Sequence, residues 1–190
     1  IRARFLAWYR DGAYTCDGLF DIGNATARAL IAGHGLSGER DNGNGSLMRT
    51  VSLAFFDVTD DAVRAISAIT HAHPTSTEAC VRMVHVAKAL ADGMSVSDAV
   101  AMGGVDAKKP RSSISSGGYV LHTYEAALWC LANTSSYAEC VLAAVNLGDD
   151  TDTTAAVAGA LGGIVYGFDG IPSSWVDALK GKDVIEACLP

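Results

Sequence analysis

Apolar residues recur at every third or fourth position along most of the chain, a spacing that predicts helices rather than strands. Residues 1–10 set Phe5, Leu6 and Tyr9 on one face, and Asp11-Gly12 ends that helix. Residues 24–32 make a second helix closed by Gly33, and residues 46–56 have helical character. From Asp60 a helix is expected to reach about Ala72, with Val63, Ile66, Ala68 and Ile69 toward the core. Pro74 opens the next helix, with Thr75 or Ser76 as its cap and Cys80, Met83, Val84, Ala87, Leu90 and Ala91 along its inner face. Helices at 95–101, 120–131 and 137–147 come next, the second anchored by Tyr124, Leu128 and Trp129, and short helices are expected at 175–180 and 184–188. No stretch alternates apolar and polar residues for long enough to be a strand, and no βαβ rhythm or repeat appears. The pattern predicts a single all-α domain over residues 1–190, a compact orthogonal multi-helix bundle of roughly ten helices.

One stretch organises the rest. Residues 147–167 begin with six oxygen-bearing side chains, Asp149, Asp150, Thr151, Asp152, Thr153 and Thr154, and continue into a run rich in Ala and Gly. Asp and Thr are good N-caps, so a helix is expected from Asp150 or Asp152 to about Tyr166. Its small residues let another helix approach closely, and it is expected to be the buried centre of the bundle. A cap needs one such residue. Three clustered carboxylates repel one another, and a helix N-terminus relieves only up to ~1 kcal/mol per charge. A hard divalent cation, which takes oxygen ligands, relieves more. An over-capped helix with solvated carboxylates explains the spacing equally well.

Two small-residue loops flank this stretch in the sequence. Residues 35–45 form the most glycine-dense loop, ending in Asn42-Gly-Asn-Gly45 just before Ser46 and the next helix. Bare backbone N–H groups converging on a helix start suit an anion. A flexible connector would not need so elaborate a double turn. Residues 112–119 form the second loop, ending in Gly118-Tyr119. His71 and His73 lie two apart and cannot face one point on a helix, so a two-histidine metal site is a poor fit. His71 reads either as a surface residue favoured by a helix C-terminus or, the preferred reading, as a single pocket histidine. Lys108 and Lys109 read as a solvated surface turn.

Composition narrows the possibilities. Hydrophobic residues make up 49% of the 190 and charged ones 18%, enough for a buried core. A net charge of −7 without any basic block argues against nucleic acid or an anionic membrane as the partner. Five scattered cysteines with no C-x-x-C pair make a disulfide framework or a zinc site a poor explanation, and buried free thiols in the cytoplasm a better one. No apolar run is long enough to read as a membrane span.

Gly148-Asp-Asp-Thr-Asp-Thr153, with the Ala/Gly run after it, resembles the C-terminal signature of the ADP-ribosylglycohydrolase family, which includes the dinitrogenase reductase-activating glycohydrolases. Asn42-Gly-Asn-Gly-Ser-Leu-Met-Arg49, Ile69-Thr-His71 and Gly118-Tyr-Val with Glu125-Ala-Ala-Leu-Trp129 match three further blocks in the family's order. The resemblance implies an all-α fold and hydrolysis of the bond between ADP-ribose and a protein side chain or related small acceptor. It implies a binuclear Mg2+ or Mn2+ centre, with Asp150, Asp152 and Thr153 as metal ligands and Asp150 and Asp152 as the catalytic carboxylates. Asn42, Gly43, Asn44, Gly45, Ser46, His71, Gly118 and Tyr119 then line the ADP-ribose cleft.

The family's first metal-ligand block, Thr-Asp-Asp-Thr, does not occur here, and Ile1-Arg-Ala-Arg-Phe-Leu-Ala-Trp8 resembles the family segment on the C-terminal side of that block. The domain is therefore expected to be incomplete at its N-terminus, with weak metal binding and impaired turnover. A non-catalytic ADP-ribose-binding or structural protein on the same scaffold is the alternative. The resemblance leaves the acceptor, the choice between the two metals and the oligomeric state open.

Overall fold

A computed structural model describes residues 1–19 and 21–188. Phe20, within the expected loop at 13–22, and Leu189 and Pro190, at the end of the expected 1–190 domain, lie outside the described residues. Eleven α-helices form among the described residues, and most begin or end where local chemistry dictates. Gly12 and Gly33, both in the left-handed conformation, close α1 (Arg2–Asp11) and α2 (Asn24–Ala32). The one-turn α3 (Leu47–Thr50) runs on as a 3-10 segment, Val51–Phe55. Hydroxyl caps at Thr59, Ser95 and Ser136 start α4 (Asp60–Ser67), α6 (Val96–Met102) and α8 (Tyr137–Val145). The others are α5 (Pro74–Ala91), α7 (Val120–Ala132), α9 (Thr151–Tyr166), α10 (Ser173–Ala178) and α11 (Lys182–Glu186). Extended pairing among the described residues is limited to two isolated bridges, Leu36 with His71 and Gly43 with Tyr119.

Several boundaries differ from the periodic pattern. Helix α4 stops at Ser67, not near Ala72, where the chain tightens into a turn in which Ile69 N–H and Thr70 N–H bond back three residues to the Ile66 and Ser67 carbonyls at 3.4 and 3.2 Å. Arg49 Nη2 donates to the Ile66 and Ser67 carbonyls at 3.3 and 3.4 Å. The backbone of residues 70–72 then pairs with Leu36 through Leu36 N–H to Thr70 O (3.0 Å) and Ala72 N–H to Leu36 O (2.7 Å). At α5 the cap is His73, whose Nδ1 accepts from Thr75 N–H at 3.2 Å, rather than Thr75 or Ser76. Asp150 occupies the cap position of α9, but its side chain does not cap the helix. Lys109 is no solvated turn: its ammonium pairs with Glu125, and its carbonyl accepts from Trp129 Nε1–H at 2.9 Å.

The buried centre is α5 rather than α9. Ten of its side chains are buried, against six positions on α9, where Ala156 and Ala160 remain exposed. The small residues of α9 do serve a close approach, by α8. A Cβ at Gly159 would stand 3.2 Å from the Tyr137 hydroxyl, and one at Gly162 3.4 Å from the Tyr137 ring. Of the cysteines, Cys80, Cys130 and Cys140 are buried free thiols, whereas Cys16 and Cys188 are exposed. Among the described residues no helix is long and apolar enough to cross a membrane.

Two glycines separate tight packing from open space. A Cβ at Gly35 would lie 2.0 Å from the Ala68 carbonyl oxygen, whereas one at Gly163 meets nothing within 4 Å. Gly35→Ala is expected to cost about 3 kcal/mol or more through forced backbone movement. Gly163→Ala, inside α9, should gain about 0.5–1 kcal/mol. Thermal unfolding monitored by circular dichroism checks both, at about 2–4 °C per kcal/mol for a chain of this size.

Candidate active site

The glycine-rich turn at 42–46 packs against the second loop and not against solvent. Asn44 N–H donates to Gly118 O and Val120 N–H to Asn42 O, both at 3.0 Å, which forms the Gly43–Tyr119 bridge. The two asparagine side chains anchor the turn from below. Asn42 Oδ1 accepts from Ser76 Oγ at 2.9 Å, and its Nδ2 donates to Glu39 O at 3.2 Å. Asn44 Nδ2 donates to Thr123 Oγ1 at 2.8 Å and to Asp150 Oδ2 at 2.7 Å. A carboxylate only accepts, so this last contact fixes the amide's orientation. Asp150 N–H in turn donates to Ser116 O at 3.1 Å, and Ser116 Oγ to Gly148 O at 2.9 Å. Residues 116–119 are thus held between the first loop and the start of α9.

Glycine is required where these parts meet. A Cβ at Gly118 would stand 3.2 Å from Asp150 Oδ2. At Gly45 it would stand 3.0 Å from His71 Cε1 and 3.1 Å from Thr26 Oγ1, and at Gly43 3.4 Å from His71 Nε2. Residues 42–46, His71, Gly118, Tyr119 and Asp150 therefore come together. Their side chains have different roles from those the composition implies. Asn42, Asn44 and Ser46 are buried, and Ser46 Oγ accepts from the Cys80 thiol at 3.4 Å. What the turn leaves free is backbone: among the described residues the N–H groups of Gly43, Gly45 and Ser46 have no acceptor. Tyr119 is 40% exposed and meets the His122 ring edge-on, centroids 5.1 Å apart.

His71 is buried, and Thr70 Oγ1 lies 2.7 Å from its Nδ1. Burial pushes the imidazole down to about 4, the Arg49 charge adds to this and Asp41 opposes it. The ring is neutral at physiological pH.

The acidic cluster is more open. Asp149 has φ 52, a left-handed conformation that Asp tolerates better than most residues, and it is exposed together with Asp152. Asp150 and Thr153 are half-buried, and Thr154 Oγ1 is buried with no hydrogen-bond partner among the described residues. Among the described residues neither Asp150 nor Asp152 pairs with a basic side chain. Asp150 at the cap position and Thr153 in the first turn lie at the same end of α9. These are all oxygen donors, the kind a hard divalent cation takes. They fit in kind but are too few for a closed site. Among the described residues no group of three or more His, Cys, Asp and Glu could hold a metal.

A family model described as ADP-ribosylglycohydrolase matches residues 1–189. The chain belongs to the ADP-ribosylglycohydrolase family. It is 33% identical over 211 residues to the ADP-ribosylarginine hydrolase Tri1 of Serratia proteamaculans, covering 97% of this chain and 58% of that protein. To the ADP-ribosyl-(dinitrogen reductase) glycohydrolase of Rhodospirillum rubrum it is 32% identical over 169 residues, 76% of this chain and 53% of that one. A solved structure titled ADP-ribosylglycohydrolase-related protein complex superposes with a TM-score of 0.78 at 29% identity, covering 98% of this chain and 70% of that one. The chain spans between half and three-fifths of the length of these curated relatives.

In this ADP-ribosylglycohydrolase family member, the residues that brace the site are nearly silent in the sequence. Ser76, Thr123 and Ser116 carry no signal beyond being polar in otherwise apolar or glycine-rich stretches. Arg49 had one, since it closes the block that begins at Asn42.

The depressed His71 value makes stability depend on pH. The unfolded chain takes up this proton near the ordinary 6.5, the folded one only near about 4. The contribution is therefore full above about pH 6.5, shrinks as pH falls and is gone by about pH 4, amounting to at most about 3 kcal/mol. Urea unfolding of the wild type should lose stability across that window, and His71→Gln should flatten the slope. An equal slope in the variant would contradict the assignment.

Proposed function

We propose that the cleft between the two glycine-rich loops and the start of α9 binds ADP-ribose, and that the protein is a metal-dependent hydrolase releasing ADP-ribose from a side chain or small acceptor. The observation that carries this reading is the 2.7 Å bond from Asn44 to Asp150, which joins the anion-suited turn to the acidic cluster. The free N–H groups of Gly43 and Gly45 take the diphosphate oxygens, as bare turn amides do. His71, neutral and buried behind the turn, lines the same wall, and Tyr119 offers an exposed aromatic face at the cleft's edge.

Asp150, through the carboxylate oxygen that Asn44 leaves free, together with Asp152 and Thr153, holds Mg2+ or Mn2+. Both metals accept all-oxygen sites. When bound, the metal supplies a polarised water and a grip on the ribose hydroxyls. The bond to the anomeric carbon breaks through a transition state with oxocarbenium character, which nearby carboxylates stabilise. The two carboxylates act as ligands rather than as an acid/base pair. One of these relatives is named for ADP-ribosylarginine and the other for ADP-ribosyl-(dinitrogen reductase), so an ADP-ribosylated arginine is the substrate to offer first. We place the reaction in the cytoplasm and in a single domain, in keeping with the free thiols and the one contiguous core.

A second reading is a non-catalytic ADP-ribose-binding or structural protein, supported by the few metal-ligating side chains around Asp150 among the described residues. Calorimetric titration of the complete protein with ADP-ribose separates the two. The hydrolase should bind ADP-ribose more tightly with Mg2+ present, and the scaffold protein should ignore the metal. Asp150→Ala and Asp152→Ala should each lower turnover of ADP-ribosylarginine by about 10²-fold or more while leaving the helical spectrum intact. Normal turnover in both variants would rule the metal role out.

A further inference from the structure

Behind the glycine-rich turn, Arg49 is enclosed with no carboxylate partner among the described residues. Its guanidinium stacks 5.0 Å from the centroid of the Phe5 ring, and its Nε is buried with no acceptor. The remaining donors go to oxygens at the cleft wall. Nη1 donates to Gly45 O at 2.6 Å, and Nη2 to Thr70 Oγ1 at 2.8 Å and, more weakly, to the end of α4. A planar fork can reach the turn and Thr70 at once, which a lysine ammonium cannot.

The hydrogen-bond direction is set by the chemistry of the three groups. Arginine only donates, so Thr70 Oγ1 accepts from Arg49. If His71 Nδ1 also carried its proton toward Thr70, the hydroxyl hydrogen of this fully buried threonine would have no acceptor among the described residues. Leaving a buried donor unmade is unfavourable. The arrangement that satisfies both Thr70 Oγ1 and His71 Nδ1 has Thr70 O–H donating to Nδ1. The proton of the neutral imidazole then sits on Nε2, the atom facing the space where Gly43 and Gly45 lack a Cβ.

We infer that Arg49 and Thr70 are positioning residues that lock His71 in its Nε2–H tautomer, so that it presents a fixed hydrogen-bond donor through the gap between Gly43 and Gly45 rather than acting as a base. The lock is a property of the protein alone, and the identity of the group this donor meets rests on the ADP-ribose reading of the cleft. Nitrogen-15 NMR of histidine-labelled complete protein reads the tautomer without ligand. At pH 7 the wild type should show the Nε2–H pattern with Nδ1 unprotonated, and Thr70→Ser should keep it. Thr70→Val and Arg49→Met should each give a mixture of tautomers. An Nδ1–H or doubly protonated ring in the wild type overturns the inference without need of any variant, as does an unchanged pattern in a folded Thr70→Val. With ADP-ribosylarginine as substrate, Thr70→Val should raise KM about tenfold with little change in kcat. A shifted tautomer with KM unchanged would leave the lock standing and overturn the ADP-ribose reading of the cleft.

Discussion

The side-chain amide of Asn44 is the joint on which the site depends. From inside one tight turn it donates to Thr123 on α7 and to Asp150 at the head of α9, residues 79 and 106 positions away in the chain. A hydrogen bond to an ionised carboxylate is worth about 1.5–3 kcal/mol, more than an ordinary one. Here it also replaces the bond Asp150 would otherwise make to its own helix. The cap position is filled, yet no capping bond forms, because the carboxylate is turned toward the turn at 42–46. Local helix stability is given up for a tertiary link that sets one carboxylate oxygen beside the glycine turn and leaves the other free.

Missing side chains do as much as present ones. Gly118 lets Asp150 come close, Gly45 and Gly43 let His71 stand behind the turn, and Gly159 and Gly162 let Tyr137 of α8 press into α9. In each case a Cβ would intrude to between 3.0 and 3.4 Å of a fixed neighbour, tighter than side chains ordinarily pack. The polar residues of these same loops face inward as struts. Asn42 and Asn44 brace the backbone of the turn through Ser76, Glu39, Thr123 and Asp150.

Helix positions were readable from periodicity because most helices carry their own signals: Gly12, Gly33, Ser95, Ser136 and Pro74 mark ends that the structure respects. Errors arose where a distant residue overrode the local signal. No feature of residues 60–72 announces that Leu36 will pair with residues 70–72 or that Arg49 will add bonds to the end of the helix. Nor does a hydroxyl-rich start at Thr75 and Ser76 reveal that the imidazole of His73 is the better-placed acceptor. Around the site, ordered blocks told which residues meet, because glycine turns and clustered acids are rare enough to stand out. They did not tell which way each side chain points. Thr123 and Ser76 become visible only when α7 and α5 are laid beside the turn.

The hydrogen-bonded assembly of two loops, His71 and the head of α9 implies that one ligand should touch them all. Amide hydrogen exchange of the complete protein, with and without ADP-ribose in the presence of Mg2+, tests this most directly. Slower exchange is predicted in residues 43–46, 71, 116–119 and 150–153 together, with α10 and α11 unchanged. Protection confined to one of those four segments, or appearing only elsewhere, would contradict the account.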